Sequence, residues 1–146
     1  MISAGNFVIE NPLRPVIDMR ISSVDGKEER TVRALVDTGA MRSFVSSDIA
    51  KEMGLKNDRV VLLSGATSKT AKKIRLCKLN LHFPFDFTFR NVSVGKMSGI
   101  IGREYDFVIG MDIISCGDLL MTNADGKMIL SLRFPPDSER IMFERY

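Results

Sequence analysis

A chain of 146 residues, 45% hydrophobic and 27% charged, has room for one domain around one core, with the composition of an ordinary globular protein. Its net charge of +3 is scattered in small groups, Lys69 with Lys72, Lys73 and Arg75, and Arg133 with Arg140 and Arg145, which argues against the basic stripe of a nucleic-acid binder. A single histidine, His82, and two cysteines without ligand spacing, Cys77 and Cys116, argue against a zinc site, and no apolar run approaches the roughly 20 residues of a membrane span. No basic-then-apolar leader opens the chain, so a soluble protein of a reducing, cytoplasmic compartment is expected.

Residues 1–12 have no clear period, though Phe7-Val8-Ile9 reads as a short strand available to a partner chain. Val16–Ser22 suits a strand, Asp25-Gly26 is a turn signal, and Thr31–Val36 reads as the returning strand. A hairpin thus delivers the chain to Asp37. Ser43-Phe44-Val45 is a short strand. Ser46-Ser47-Asp48 offers a helix N-cap, Ile49–Met53 a short helix and Gly54 its stop. Val60–Leu63 is β-like, Ser64–Ser68 is small and turn-forming, and a strand rises again from Lys72.

Apolar residues then alternate, first at even positions (Ile74, Leu76), then at odd ones from Cys77 to Phe89, then at even ones (Val92, Val94). A change of phase flips the buried face, so bulges or turns are expected near 76–77 and 90–91, and Pro84 marks an edge or a turn. Residues 95–105 read as loop around Gly95, Gly99 and Gly102. Phe107-Val108-Ile109 is a buried strand ending at Gly110, and Met111–Ser115 allows about one helical turn. Leu119–Thr122 and Met128–Phe134 flank Asn123-Ala124-Asp125-Gly126 as a second hairpin, stopped by Pro135-Pro136. The tail Asp137–Tyr146 is charged. Many short strands and little helix predict an all-β barrel or sandwich.

The chemistry gathers at Ala34-Leu35-Val36-Asp37-Thr38-Gly39-Ala40. Leu35 and Val36 bring the chain in as a buried strand, leaving one carboxylate partly desolvated at its end. Gly39 permits a tight turn and close approach, and Thr38 can donate and accept. Hydrolysis by carboxylates needs two of them sharing one proton. The chain carries one such loop, so a second must come from a second copy on a two-fold axis.

The loop resembles the active-site loop of the retropepsin-like (retroviral-type) aspartic proteases. Val60–Leu63 followed by Ser64-Gly65-Ala66-Thr67 stands where that family carries its flap. Ile109-Gly110, with Ile113-Ile114 after it, resembles the family's supporting strand, and Gly99-Ile100-Ile101-Gly102-Arg103 is a rival for that role. The resemblance covers about residues 16–134. It implies an all-β, closed or semi-open barrel of the acid protease type with one or two short helices. It also implies a single domain over 1–146, with an N-terminal arm over 1–15 and a C-terminal tail over 135–146. The implied activity is that of a homodimeric aspartic endopeptidase. Asp37 is its catalytic residue, Thr38, Gly39 and Ala40 its loop, and Ser64, Gly65, Ala66 and Thr67 its flap. Peptide or protein would be the substrate, with no metal or organic cofactor. The segment Ser47–Met53 and the tail resemble cellular and bacterial members, and Met111 stands where viral enzymes often carry Arg. Two segments compete for the dimer contact, Phe7–Ile9 and one after Leu119. The alternatives are a catalytically silent relative serving as a dimerisation or peptide-binding module, and a basic barrel for nucleic acid.

Other residues have plainer expected roles. His82, opposite in phase to the phenylalanines, is expected to face solvent, Cys77 to be a core thiol and Cys116 to be exposed in a turn. Asp106 and Asp112 read as turn and helix-end residues, and Phe83 to Phe89 as core. The methionines are expected to fill core gaps.

Overall fold

Alternation in β2 (Val16–Ser22) sends Ile17, Met19 and Ile21 inward and leaves Asp18 and Arg20 in solvent. β3 (Glu29–Val36) answers with Val32, Ala34 and Val36, paired antiparallel from Val16↔Leu35 to Ser22↔Glu29. Between them Gly26 takes a φ of +76°, and Asp25 Oδ1 accepts from Ser23 Oγ and from the Lys27 N–H. The computed structural model describes residues 1–65, 70–98 and 104–144.

The remaining elements are β1 (Ser3–Ile9), β4 (Phe44–Ser46), α1 (Ser47–Glu52), β5 (Asn57–Leu63), β6 (Lys72–Phe83), β7 (Phe87–Met97), β8 (Phe107–Ile109), α2 (Met111–Ile114), β9 (Asp118–Thr122) and β10 (Met128–Phe134). Six strands follow one another as β2-β3-β8-β4-β7-β6, and β2 pairs again with β6 through Arg20↔His82, Ile21↔Leu81 and Ser22↔Asn80. The ring is therefore a closed barrel with two short α-helices, as the resemblance implies. Closure leaves no free edge in the ring. Ile21, Leu79, Leu81, Phe107 and Ile109 fill its interior at 0% exposure, each worth about 1.5–3 kcal/mol of burial. Among the described residues no helix is long and apolar enough to cross a membrane.

β6 is long, 12 residues, or about 40 Å. Its second half closes the barrel, and its first half pairs with β5 outside the ring. Both expected irregularities occur. Asp58 and Arg59 of β5 oppose Leu76, and Arg90 and Asn91 of β7 oppose Asn80. The second bulge puts Asn91 at φ +55°, and the buried Asn80 side chain accepts its N–H at 2.9 Å. Pro84 lies in the turn joining β6 to β7.

Several expectations are corrected. Gly95 is not loop but a buried residue of β7, because the Phe44 ring occupies the space a side chain would need, 2.4 Å from an ideal Cβ. His82 does not simply face solvent. It is half-buried, with Nε2 2.8 Å from Ser22 Oγ and Nδ1 3.0 Å from Thr88 Oγ1. Of the methionines, Met19 and Met53 are buried, while Met41, Met111, Met121 and Met142 are exposed. The strand expected at Phe7–Ile9 is present as the end of β1, which pairs on one edge with β10 of its own chain and lies at the edge of a three-stranded sheet completed by β9. That sheet packs on the β6–β7 turn, where Phe83, Phe85, Phe87 and Phe89 ring Phe134 at centroid distances of 5.0 to 6.1 Å.

Candidate active site

β3 runs parallel to β8, and the pairing continues one step beyond the strand. The Asp37 N–H donates to Ile109 O at 2.9 Å. Val36 is buried, so Asp37 stands where the core ends, itself half-buried. The chain then turns sharply. The Ala40 N–H reaches back to Asp37 O at 3.2 Å, and the Gly39 N–H donates to Asp37 Oδ1 at 2.8 Å. That bond orients the carboxylate. A Cβ on Gly39 would lie 3.2 Å from the same oxygen, so a side chain there would crowd it. Thr38 is exposed and, among the described residues, its hydroxyl has no hydrogen-bond partner within the chain.

The second motif meets this loop from behind. The Met111 N–H donates to Ala40 O at 2.7 Å and the Asp112 N–H to Met41 O at 3.2 Å. Gly110 comes so close that an added Cβ would stand 2.7 Å from the carbonyl carbon and oxygen of Arg42. Its N–H donates to Ser43 Oγ at 2.9 Å. Ser43 Oγ in turn donates to Asp112 Oδ1 at 2.7 Å, and the Ser43 N–H to Asp112 Oδ2 at 2.9 Å. Ser43 is fully buried. Charge-assisted bonds to a shielded carboxylate are the strong kind, so this relay ties the loop to α2. Ile109 and Gly110 thus lie directly behind Asp37.

Beside the loop, β5 and the first half of β6 form a paired arm. Leu63, Ser64 and Gly65 from the arm, Lys72 and Ile74 from β6, and Gly39 to Arg42 from the loop line one groove of about 280 Å³, with Phe44 and Met97 also in its lining. Ser64 and Gly65 therefore face the Asp37 loop. Ala66 and Thr67, and the rival stretch Gly99–Arg103, lie outside the described residues.

A family model described as aspartyl protease matches residues 19–113, a span holding the loop, the arm and the second motif. The chain belongs to the aspartyl protease family. A retropepsin-like aspartic protease from Rickettsia conorii has a similar structure, with a TM-score of 0.51 at 15% identity, covering 92% of this chain and 96% of that one. At that identity the likeness is one of fold, and the fold of this aspartyl protease is retropepsin-like. No curated protein matches it in sequence.

The other reactive side chains named above lie outside the groove lining. Burial pushes the Cys77 thiol up to about 11, so it stays protonated and inert. Cys116 is exposed and its thiol donates to Asp112 O at 3.4 Å. Asp106 accepts from the Arg33 N–H at 3.4 Å, a structural contact. Sequence reasoning passed over Ser43 and gave Asp112 only a helix-end role. A serine that packs into the core needs a polar partner, but its partner Asp112 stands in α2, 69 positions along the chain, where no local pattern points to it.

Proposed function

We propose that this aspartyl protease is an endopeptidase working as a two-fold homodimer, in which Asp37 of each copy contributes one half of a catalytic dyad. The observation that carries the reading is the setting of Asp37. It is one oriented, half-buried carboxylate at a strand end, beside a groove walled by a hairpin arm. Two such carboxyls brought about 3 Å apart share one proton, because both cannot ionise together. The ionised one takes a proton from water, whose oxygen attacks the peptide carbonyl carbon. The protonated one donates to the carbonyl oxygen. The tetrahedral gem-diol collapses as the C–N bond breaks: the leaving nitrogen takes the proton of one carboxyl, and one diol hydroxyl returns its proton to the other, so the carbonyl re-forms and the dyad again holds one proton.

In this reading Thr38, Gly39 and Ala40 hold the loop, and Ile109 and Gly110 support it. The β5–β6 arm serves as the flap, with Ser64 and Gly65 offering backbone groups to an extended peptide by strand addition. The unpartnered Thr38 hydroxyl suits a contact with the second copy. So do β1 and β9, the two edges of the terminal sheet, where Val8 and Met121 are exposed.

The test is Asp37→Asn. Purified wild-type protein should cleave an unfolded polypeptide at mildly acid pH, and a hydroxyl-bearing transition-state mimic should block it. The variant should lose cleavage while keeping its circular dichroism and its sedimentation as a dimer. Cleavage that survives the substitution, or a wild-type protein that sediments only as a monomer while cleaving, ends this mechanism.

A further inference from the structure

We propose that Arg42 and Lys72 make the groove beside Asp37 selective for peptides carrying an aspartate or glutamate side chain next to a bulky apolar residue. The reaction rests on the endopeptidase reading above, and the selectivity rests on the groove's own chemistry. The groove has an apolar part, with Phe44, Ile74 and Met97 in its lining, which suits a large hydrophobic side chain. Among the described residues its two charged lining side chains are both cationic, Arg42 from the loop and Lys72 from the β6 wall, and no carboxylate lines it.

Among the described residues Arg42, like Arg75, Arg90 and Arg140, has no carboxylate partner, and of these four it is the one that lines the groove. Arg14, Arg20, Arg30, Arg33, Arg59 and Arg133 each meet a carboxylate. Among the described residues neither Arg42 nor Lys72 does, and the Arg42 Nε is buried with no hydrogen-bond partner. A buried N–H left without an acceptor is costly, and such orphans in native proteins are met by water or ligand. A carboxylate presents two oxygens that match the planar guanidinium fork, and Lys72 adds a second positive charge from the other wall. A neutral amide of the same shape offers one acceptor and no charge.

The experiment compares peptides that share one apolar cleavage sequence and differ only by Glu or Gln at each position flanking the scissile bond. At pH 6 the glutamate is ionised, and at one position the Glu peptide should show about tenfold higher kcat/KM, the size of one charge-assisted hydrogen bond. The preference should fade as pH falls through about 4.3, where the substrate carboxyl takes up its proton. Arg42→Gln should reduce the ratio to about threefold or less, and Arg42→Gln with Lys72→Gln should bring it near one. Lys72→Gln alone, at an exposed position, keeps the test open if the Arg42 variant folds poorly. Equal rates at pH 6, or a ratio that survives the double variant, overturn the proposal. Fluorescence anisotropy of the same labelled peptides with the full-length Asp37→Asn protein separates the two readings. A Glu preference in binding with no cleavage by wild type removes the endopeptidase and keeps the selective groove. Cleavage without preference does the reverse.

Discussion

Gly110→Ala tests whether the second motif sets the position of the Asp37 loop. The residue has a φ of −97°, which alanine adopts freely, so any effect is steric. The new Cβ would stand 2.7 Å from the Arg42 carbonyl carbon and oxygen and 2.8 Å from Ala40 O. Ordinary contact begins near 3.4 Å, so the loop backbone must retreat by about 0.7 Å, the difference between 3.4 and 2.7. Overpacking of this kind costs about 1–3 kcal/mol, and backbone atoms cannot rotate aside as a side chain would. The retreat also stretches the Met111 N–H bond to Ala40 O, now 2.7 Å, worth about 1 kcal/mol. The expected loss is about 2–4 kcal/mol, which for a chain of this length lowers the melting temperature by about 6–12 °C. Thermal unfolding followed by circular dichroism reads this directly, and peptide cleavage should fall with it because the same shift moves Ala40 and Arg42. A melting temperature within about 2 °C of wild type would refute the packing argument.

Three further outcomes follow from the same structure. Asn80→Ala removes donations to Ser22 Oγ, Ser23 O and Val24 O and the acceptor of the Asn91 N–H; urea unfolding should show about 2–3 kcal/mol lost, and an unchanged midpoint would contradict the bulge assignment. Burial, and after it the Arg20 charge, hold the His82 imidazole below its usual 6.5. The unfolded chain then binds the proton more readily, so this contribution is present above pH 6.5 and is lost as pH falls from there through the lower folded value; His82→Gln should flatten that stretch of the stability curve. Cys116 should be alkylated in the folded protein at pH 8 while Cys77, its thiol at about 11 and buried, resists until denaturant is added; mass spectrometry showing two adducts on the folded protein would contradict the burial.

Local chemistry made much of this chain readable in advance. The β2–β3 hairpin, the buried strand Phe107–Ile109, the helix stop at Gly54 and the bulge at Arg90-Asn91 follow from turn residues and alternation, which act over a few neighbours. Asp37 was legible as a carboxylate at the end of a buried strand, and so was the lack of a second such loop in the chain.

Long-range packing decided the rest. β2 closes on β6 across about 60 positions, and β1 finds β10 across about 125, pairings that no local period encodes. Gly95 is strand because Phe44 needs its space, a fact held by two residues far apart in sequence. The Ser43–Asp112 relay joins positions 43 and 112 behind Asp37, and the groove is lined jointly by the loop and the β5–β6 arm, segments distant in sequence. Residue type determined that Asp37 could do chemistry. Contacts between distant segments decided how the carboxylate is held, what stands behind it and which charges line the groove beside it.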